Sequence, residues 1–382
     1  MHNEISLTVT EAARSAALLT EIKEEIHRAD GQLGFDQFME LSLYLPELGY
    51  YASTAEKFGR EGDFITAPLL TPVFGVSIAA QVAELLAQQP DMRVLEYGAG
   101  TGQLAVVVLT ELERLDCLPV GYDIVERSAG LRLRQQQIIR EQIPALAERV
   151  NWLDESPRGY RGVVIANELL DAMPVKRLVN SSTGFREQVV GLNGDELMMA
   201  DRPLGSPEVE RRLAAFELGD GYQTEINCSA EAWVESLGDV LDEGLVLIVD
   251  YGYSRAEYYH PQRDQGTFLC YFRHRAADDP LRLPGLQDMT AHVDFTAMAE
   301  AADRSGLTVA GFTTQANFLI SCGVLEQLAA RVADADYVDL IAPVKQLLLP
   351  GGMGEVFKVL ALTKNYPLPL RGMATRDIRH TL

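Results

Sequence analysis

A chain of 382 residues with 47% hydrophobic and 23% charged side chains can bury a sizeable core, and its length suits an α/β domain carrying large insertions, or two domains. Its formal net charge of -22 opposes bulk nucleic acid and anionic membrane surfaces and favours a cationic small molecule or a basic protein segment. Cys117, Cys228, Cys270 and Cys322 lie far apart without metal-like spacing, no apolar run approaches ~18 residues, and the first residues resemble neither a secretory nor a transit peptide, so the expectation is a cytoplasmic protein with free thiols and no membrane association.

Residues 11–29 place Ala12, Leu18, Leu19, Ile22 and Ile26 at helical spacing. A second helix is expected from Phe35 to Leu45, stopped by Pro46, with Gly49-Tyr50-Tyr51 in the loop beyond. The glycines and proline of 57–68 forbid a long regular element. Ahead of a helix at 74–88, that stretch suits a lid or ligand wall, although composition alone favours ordinary loop packing.

Arg93–Tyr97 reads as a short buried strand, and Gly98, Gly100 and Gly102 permit positive φ and close backbone approach before a helix from about Gln103. The spacing departs from the Gly-x-Gly-x-x-Gly of dinucleotide folds, and Glu96 precedes the first glycine by two residues. A carboxylate there repels a pyrophosphate and attracts an ammonium group such as that of a methionine moiety. This favours S-adenosyl-L-methionine over a nicotinamide cofactor; a tight turn without ligand is the competing reading.

Strands follow at Pro119–Val125, Val150–Leu153 and Gly162–Ala166, separated by helices, one of them at 131–149 with a break near Pro144. This rhythm implies parallel pairing, with a ligand at the carboxyl ends where Gly98, Glu126, Asp154 and Asn167 fall. Val175–Val179, Phe185–Leu192 and Glu196–Ala200, joined by turn residues, predict an antiparallel meander. Helices are expected near 207–217 and 229–242, then an apolar strand at Leu245–Val249. After an irregular stretch at 253–290 come a helix at 294–305, a strand at 307–313, a helical region at 317–349 and a last strand at 356–362. The tail from Tyr366 is expected to be mobile.

At the second strand tip Glu126 can accept both ribose hydroxyls, and it is preferred to Asp123, which lies inside the strand. Asp154 suits the adenine amino group, with Glu155 adjacent. Two carboxylates and an amide in Asn167-Glu168-Leu169-Leu170-Asp171 are costly at the end of a buried strand unless they bind something. Glu168 and Asp171 would share a face if this segment forms a helical turn. Paired carboxylates match a guanidinium and can orient a nitrogen toward a sulfonium methyl; helix capping by Asn167 or Asp171 is the plainer alternative. His260, His274 and His292 fit no compact metal motif, and a structural or substrate-contact role is expected for them.

With these residues in hand, the chain resembles the MidA family of Rossmann-type S-adenosylmethionine-dependent methyltransferases, over nearly its whole length. The matching blocks include Leu43-Tyr44, Gly49-Tyr50-Tyr51, Gly62-Asp63-Phe64-Ile65-Thr66-Ala67-Pro68, Phe74-Gly75 and the Glu96–Gly102 turn. They continue through Asn167–Val175, Asp250-Tyr251-Gly252, Gln287–Asp294 and Met353-Gly354. The resemblance implies that Thr66 to Pro68 close over the cofactor and that Asn167 and Glu168 lie at the transfer site. It also implies protein arginine methylation, the activity of mitochondrial members that assist respiratory complex I assembly. One departure is Leu69-Leu70, where the family usually has an acidic residue after the proline.

The resulting expectation is a class I methyltransferase with a mostly parallel seven-stranded sheet, closed by an antiparallel final strand as the resemblance implies. N-terminal helices and a covering loop would occupy 1–90, and the catalytic domain 91–364 with insertions at 174–243, 251–290 and 316–350. Thr66, Pro68, Glu96, Gly98, Gly100, Gly102, Glu126, Asp154 and Asn167 would hold S-adenosyl-L-methionine. Glu168 and Asp171 would act on a basic acceptor, most naturally a protein arginine; no metal is expected, and a homodimer is compatible with this reading. The alternative is a cofactor-binding assembly factor without methyl transfer, which only the Leu69 departure supports.

Overall fold

The computed structural model describes residues 7–52, 66–273, 275–277, 279–332 and 337–382. Its main sheet contains β1 (Arg93–Tyr97), β2 (Tyr122–Val125), β3 (Val150–Leu153), β4 (Tyr160–Asn167), β5 (Leu241–Tyr253), β6 (Thr308–Thr314) and β7 (Phe357–Lys364). Their order across the sheet is β6-β7-β5-β4-β1-β2-β3. β7 runs antiparallel to both neighbours, and the other pairings are parallel. The two-residue strand Val293–Asp294 adds to the end of β5, an eighth piece beyond the seven expected.

The apolar runs of β4 and β5 form the centre because both of their faces are covered. Val163, Ile165, Leu245, Leu247 and Val249 face one core, packed by α1 (Pro72–Leu86) and α2 (Gln103–Arg114). The alternate residues Val164, Ala166, Val246 and Ile248 face the other, packed by helices Cys228–Val240 and Phe295–Arg304. All nine are at most 1% exposed, and burial of each larger side chain contributes roughly 1.5–3 kcal/mol.

The meander forms as Lys176–Ser181, Gly184–Asn193 and Glu196–Pro203, joined by Gln223–Ile226 in a second, antiparallel sheet. Leu33–Gly34 pairs with Val189 and Val190, so the N-terminal helices Val9–Arg28 and Phe35–Tyr44 are tied to this insertion. The stretch expected to be irregular instead contains helix Arg255–Tyr258 and a small antiparallel sheet of Leu269–Phe272, Arg275–Ala277 and Asp288–Thr290. Its strands are too short to show alternation among the intervening charged residues. The region expected as helical at 317–349 is three helices, Gln315–Ser321, Val324–Ala330 and Tyr337–Leu348. Gly323, at φ +91°, breaks the first two apart. The charged helix after β2 is Ala129–Gln142, begun by the Ser128 cap, and Pro144 separates it from a short turn of 3-10 helix.

The tail corrects the expectation of mobility. Tyr366, Leu370 and Met373 are buried, the Gly372 N–H donates to Gln81 Oε1 at 2.8 Å, and the Ile378 N–H donates to the Phe312 carbonyl at 2.7 Å. Its three arginines obscured the apolar anchors spaced between them. Among the described residues no helix is long and apolar enough to cross a membrane.

Candidate active site

The carboxyl ends of β1 to β5 open into one cavity of about 950 Å³. Beyond β1 the chain turns through Gly98 (φ +65°), Gly100 (φ +52°) and Gly102 (φ +87°), the last capping α2. A Cβ on Gly98 would stand 2.9 Å from Leu169 Cδ1, so the turn packs directly against the segment after β4. Glu96 is buried at the base of this turn and accepts the Tyr122 hydroxyl at 2.7 Å. Burial pushes its carboxyl up to about 7, the Glu126 charge adds to the rise, and the Tyr122 bond opposes it. A cationic ligand would draw this group into its ionised form.

Glu126 lines the cavity at the tip of β2, with Oε1 accepting the Ser128 N–H at 2.9 Å and Oε2 accepting Gln135 Nε2 at 3.0 Å. Asp123 points elsewhere, held by Arg93 and by the Tyr160 hydroxyl. Asp154 lines the wall beyond β3 and accepts from Arg132 at 2.6 Å. Thr66, Pro68 and Leu69 also line the cavity, where helix Ala67–Leu70 begins and the Ala67 N–H donates to Glu168 Oε1 at 3.3 Å. Residues 57–65 of the expected lid lie outside the described residues.

After Asn167 the chain makes turns and no helix, which corrects the expected helical face and leaves neither Asn167 nor Asp171 as a helix cap. The physical reason is Asp250, wholly buried on β5: its Oδ2 accepts the N–H groups of Leu169, Leu170 and Asp171 at 3.2, 2.8 and 3.3 Å. Three successive donors converging on one carboxylate fix a nest in place of a helical ladder. Glu168 enters this turn at φ +51°, a conformation costing of order 1–3 kcal/mol, with its N–H on the Val249 carbonyl.

Glu168 and Asp171 both line the cavity. Burial first and the Asp171 charge second push Glu168 up to about 8, against bonds from Ala67 and Asn167. Burial pushes Asp171 up to about 6 although the Tyr251 hydroxyl donates to its Oδ2 at 2.6 Å. Asp250 is raised by burial and by Asp171. Asp171 Oδ1 and Asn167 Oδ1 are buried without a hydrogen-bond partner among the described residues. Such orphaned acceptors suit donor groups of a ligand. Among the described lining residues, eight carboxylates accompany a single arginine, Arg127, which is itself paired with Glu40.

Asp250 and Tyr251 contribute to the site although residue chemistry alone did not single them out; they lie in a block that carried the family resemblance without a role attached, whereas His292 was expected to have a structural or substrate-contact role. His292 lines the cavity between the rings of Tyr251 and Tyr253. Burial, with Arg263 and Lys358 nearby, holds it down at about 4, a neutral imidazole at physiological pH. His260 does not line the cavity, and His274 falls outside the described residues. Among the described residues no cluster of His, Cys, Asp or Glu could hold a metal ion.

A mainly parallel sheet, a glycine turn under a buried carboxylate, and acidic groups at the next strand tips define the class: a Rossmann-like class I methyltransferase fold with a site for a nucleoside carrying a cationic amino acid. Residues 75–313 match the family described as "Putative S-adenosyl-L-methionine-dependent methyltransferase", and the chain belongs to this family, with S-adenosyl-L-methionine as its cofactor. It is 27% identical over 380 residues to a mitochondrial protein arginine methyltransferase NDUFAF7 homolog of Caenorhabditis elegans, covering 90% of this chain and 87% of the relative. The Homo sapiens protein arginine methyltransferase NDUFAF7, mitochondrial, is 25% identical over 375 residues, with coverages of 88% and 81%. A crystal structure of a COG1565 superfamily member from Burkholderia thailandensis bound to S-adenosyl-homocysteine is 40% identical and superimposes with a TM-score of 0.96. That match covers 99% of this chain and 100% of the other. These similarities agree with the MidA resemblance.

Proposed function

We propose that this methyltransferase modifies the guanidinium of a protein arginine. The observation that carries the reading is the pair Glu168 and Asp171, deep in the cavity and without a basic partner among the described residues. Relatives named protein arginine methyltransferases support it. In this reading Glu96 and the Gly98, Gly100 and Gly102 turn take the methionine end of the cofactor, and Glu126 takes the ribose. Asp154 lies toward the adenine, Asn167 sits beside the transfer site, and Thr66 and Pro68 cover it.

Bound there, S-adenosyl-L-methionine supplies an electrophilic methyl on a sulfonium. Glu168 and Asp171 bind the guanidinium by charge and by matched hydrogen bonds, and hold one nitrogen toward the methyl. The new N–C bond forms as the S–C bond breaks, its electron pair passing to sulfur. The cationic guanidinium draws Glu168 into its ionised form, and the proton lost from the nitrogen then goes to Glu168, whose raised pKa makes it the better acceptor of the two. Every group named in this reading belongs to one chain, an arrangement compatible with a homodimer. The cysteines are free, which supports a reducing location such as the cytoplasm.

Glu168→Gln tests this reading. The variant should bind S-adenosyl-homocysteine like the wild type and transfer no methyl group. Undiminished transfer would remove Glu168 from the chemistry.

A further inference from the structure

Helix Ala129–Gln142 has little apolar character, yet it fully buries Gln135. A buried amide is costly unless its hydrogen bonds are made, and here they are. Gln135 Nε2 donates to the Gly100 carbonyl and to Glu126 Oε2, both at 3.0 Å, and Oε1 accepts Trp152 Nε1 at 2.9 Å. A Cβ on Gly102 would stand 3.3 Å from Gln135 Cα, so the glycine turn rests directly on this helix. One side chain thereby joins the turn after β1, the carboxylate at the tip of β2 and the strand residue two before Asp154 on β3. Gln135 does not line the cavity.

We propose that Gln135 is the positioning residue of the cofactor site, locking the turn at Gly100 and aiming the Glu126 carboxylate at the ribose diol from behind the wall. The Ser128 N–H fixes the other oxygen of Glu126, so the carboxylate is oriented before the ligand arrives. The inference rests on the placement of the ribose at Glu126.

The test is calorimetric titration of the full chain with S-adenosyl-homocysteine and with its 2′-deoxy analogue. Gln135→Leu, close in volume, should weaken S-adenosyl-homocysteine about 10- to 100-fold, with a much smaller loss for the 2′-deoxy analogue. Glu126→Gln should weaken it comparably. The double variant should be no more than about 3-fold worse than the weaker single variant, because one acts through the other. Multiplying losses, or unchanged affinity in Gln135→Leu beside a weakened Glu126→Gln, would overturn the role of Gln135 and leave the ribose placement standing. Full affinity in Glu126→Gln would overturn the ribose placement and the inference with it. Should Gln135→Leu fail to fold, Trp152→Phe removes the N–H that steadies Gln135 and keeps an aromatic ring, though a smaller one, against the core. It should weaken binding about 3- to 10-fold, and unchanged affinity would again overturn the proposal.

Discussion

Replacing Glu168 with glutamine should stabilise the free protein in a pH-dependent way. Burial and the Asp171 charge raise the Glu168 carboxyl from 4.5 to about 8. Between those values the native state keeps a proton that the unfolded chain has released, so raising the pH favours unfolding. The penalty is absent below about pH 4.5 and complete above about pH 8. At 1.36 kcal/mol per pH unit the interval amounts to about 5 kcal/mol as an upper bound. Water reaching the cavity screens the carboxyl, and ~2–3 kcal/mol is the expected size. Glutamine retains an oxygen for the donors of Ala67 and Asn167, so the turn should survive. Urea unfolding of both proteins from about pH 5 to about pH 8 measures the difference. It should grow by ~2–3 kcal/mol in favour of the variant as the pH rises. A difference that stays constant, or that moves the other way, would refute the reasoning.

Gly100→Val places a β-branched residue at φ +52° in the cofactor turn. Calorimetry should show S-adenosyl-homocysteine binding weakened by at least about 100-fold in a folded variant, and unchanged affinity would remove the glycine turn from the site. Asp250→Ala strands three backbone donors, so urea unfolding should register a loss of ~3–5 kcal/mol, partly restored in Asp250→Asn; a loss under ~1 kcal/mol would mean the turn is held otherwise. Deleting residues 366–382 uncovers the partners of Tyr366, Leu370 and Met373 and should lower the melting temperature by about 5 °C or more, whereas an unchanged value would make the packed tail dispensable.

Much of this architecture was legible in the sequence because its signals are local. The apolar runs of β4 and β5, the glycine turn and the strand-helix rhythm each report a short-range requirement for burial or positive φ. The strand tips at Glu126 and Asp154 followed from that rhythm. The nest around Asp250 did not, since its donors lie about 80 residues away and look locally like a helix start. The pairing of Leu33–Gly34 with the meander is long-range in the same sense, and two residues are too few to show a strand period. Gln135 sits on a helix whose composition reads as solvated, and only the packing of three strand tips reveals why an amide is buried there. The anchors of the tail were hidden by the arginines among them.

The most direct test of the central claim is incubation of the full chain with methyl-labelled S-adenosyl-L-methionine and a protein fraction, followed by complete hydrolysis and amino-acid analysis. The account predicts label in methylated arginine with the wild type and none with Glu168→Gln. Label confined to another amino acid, or to none while S-adenosyl-homocysteine still binds, would contradict it.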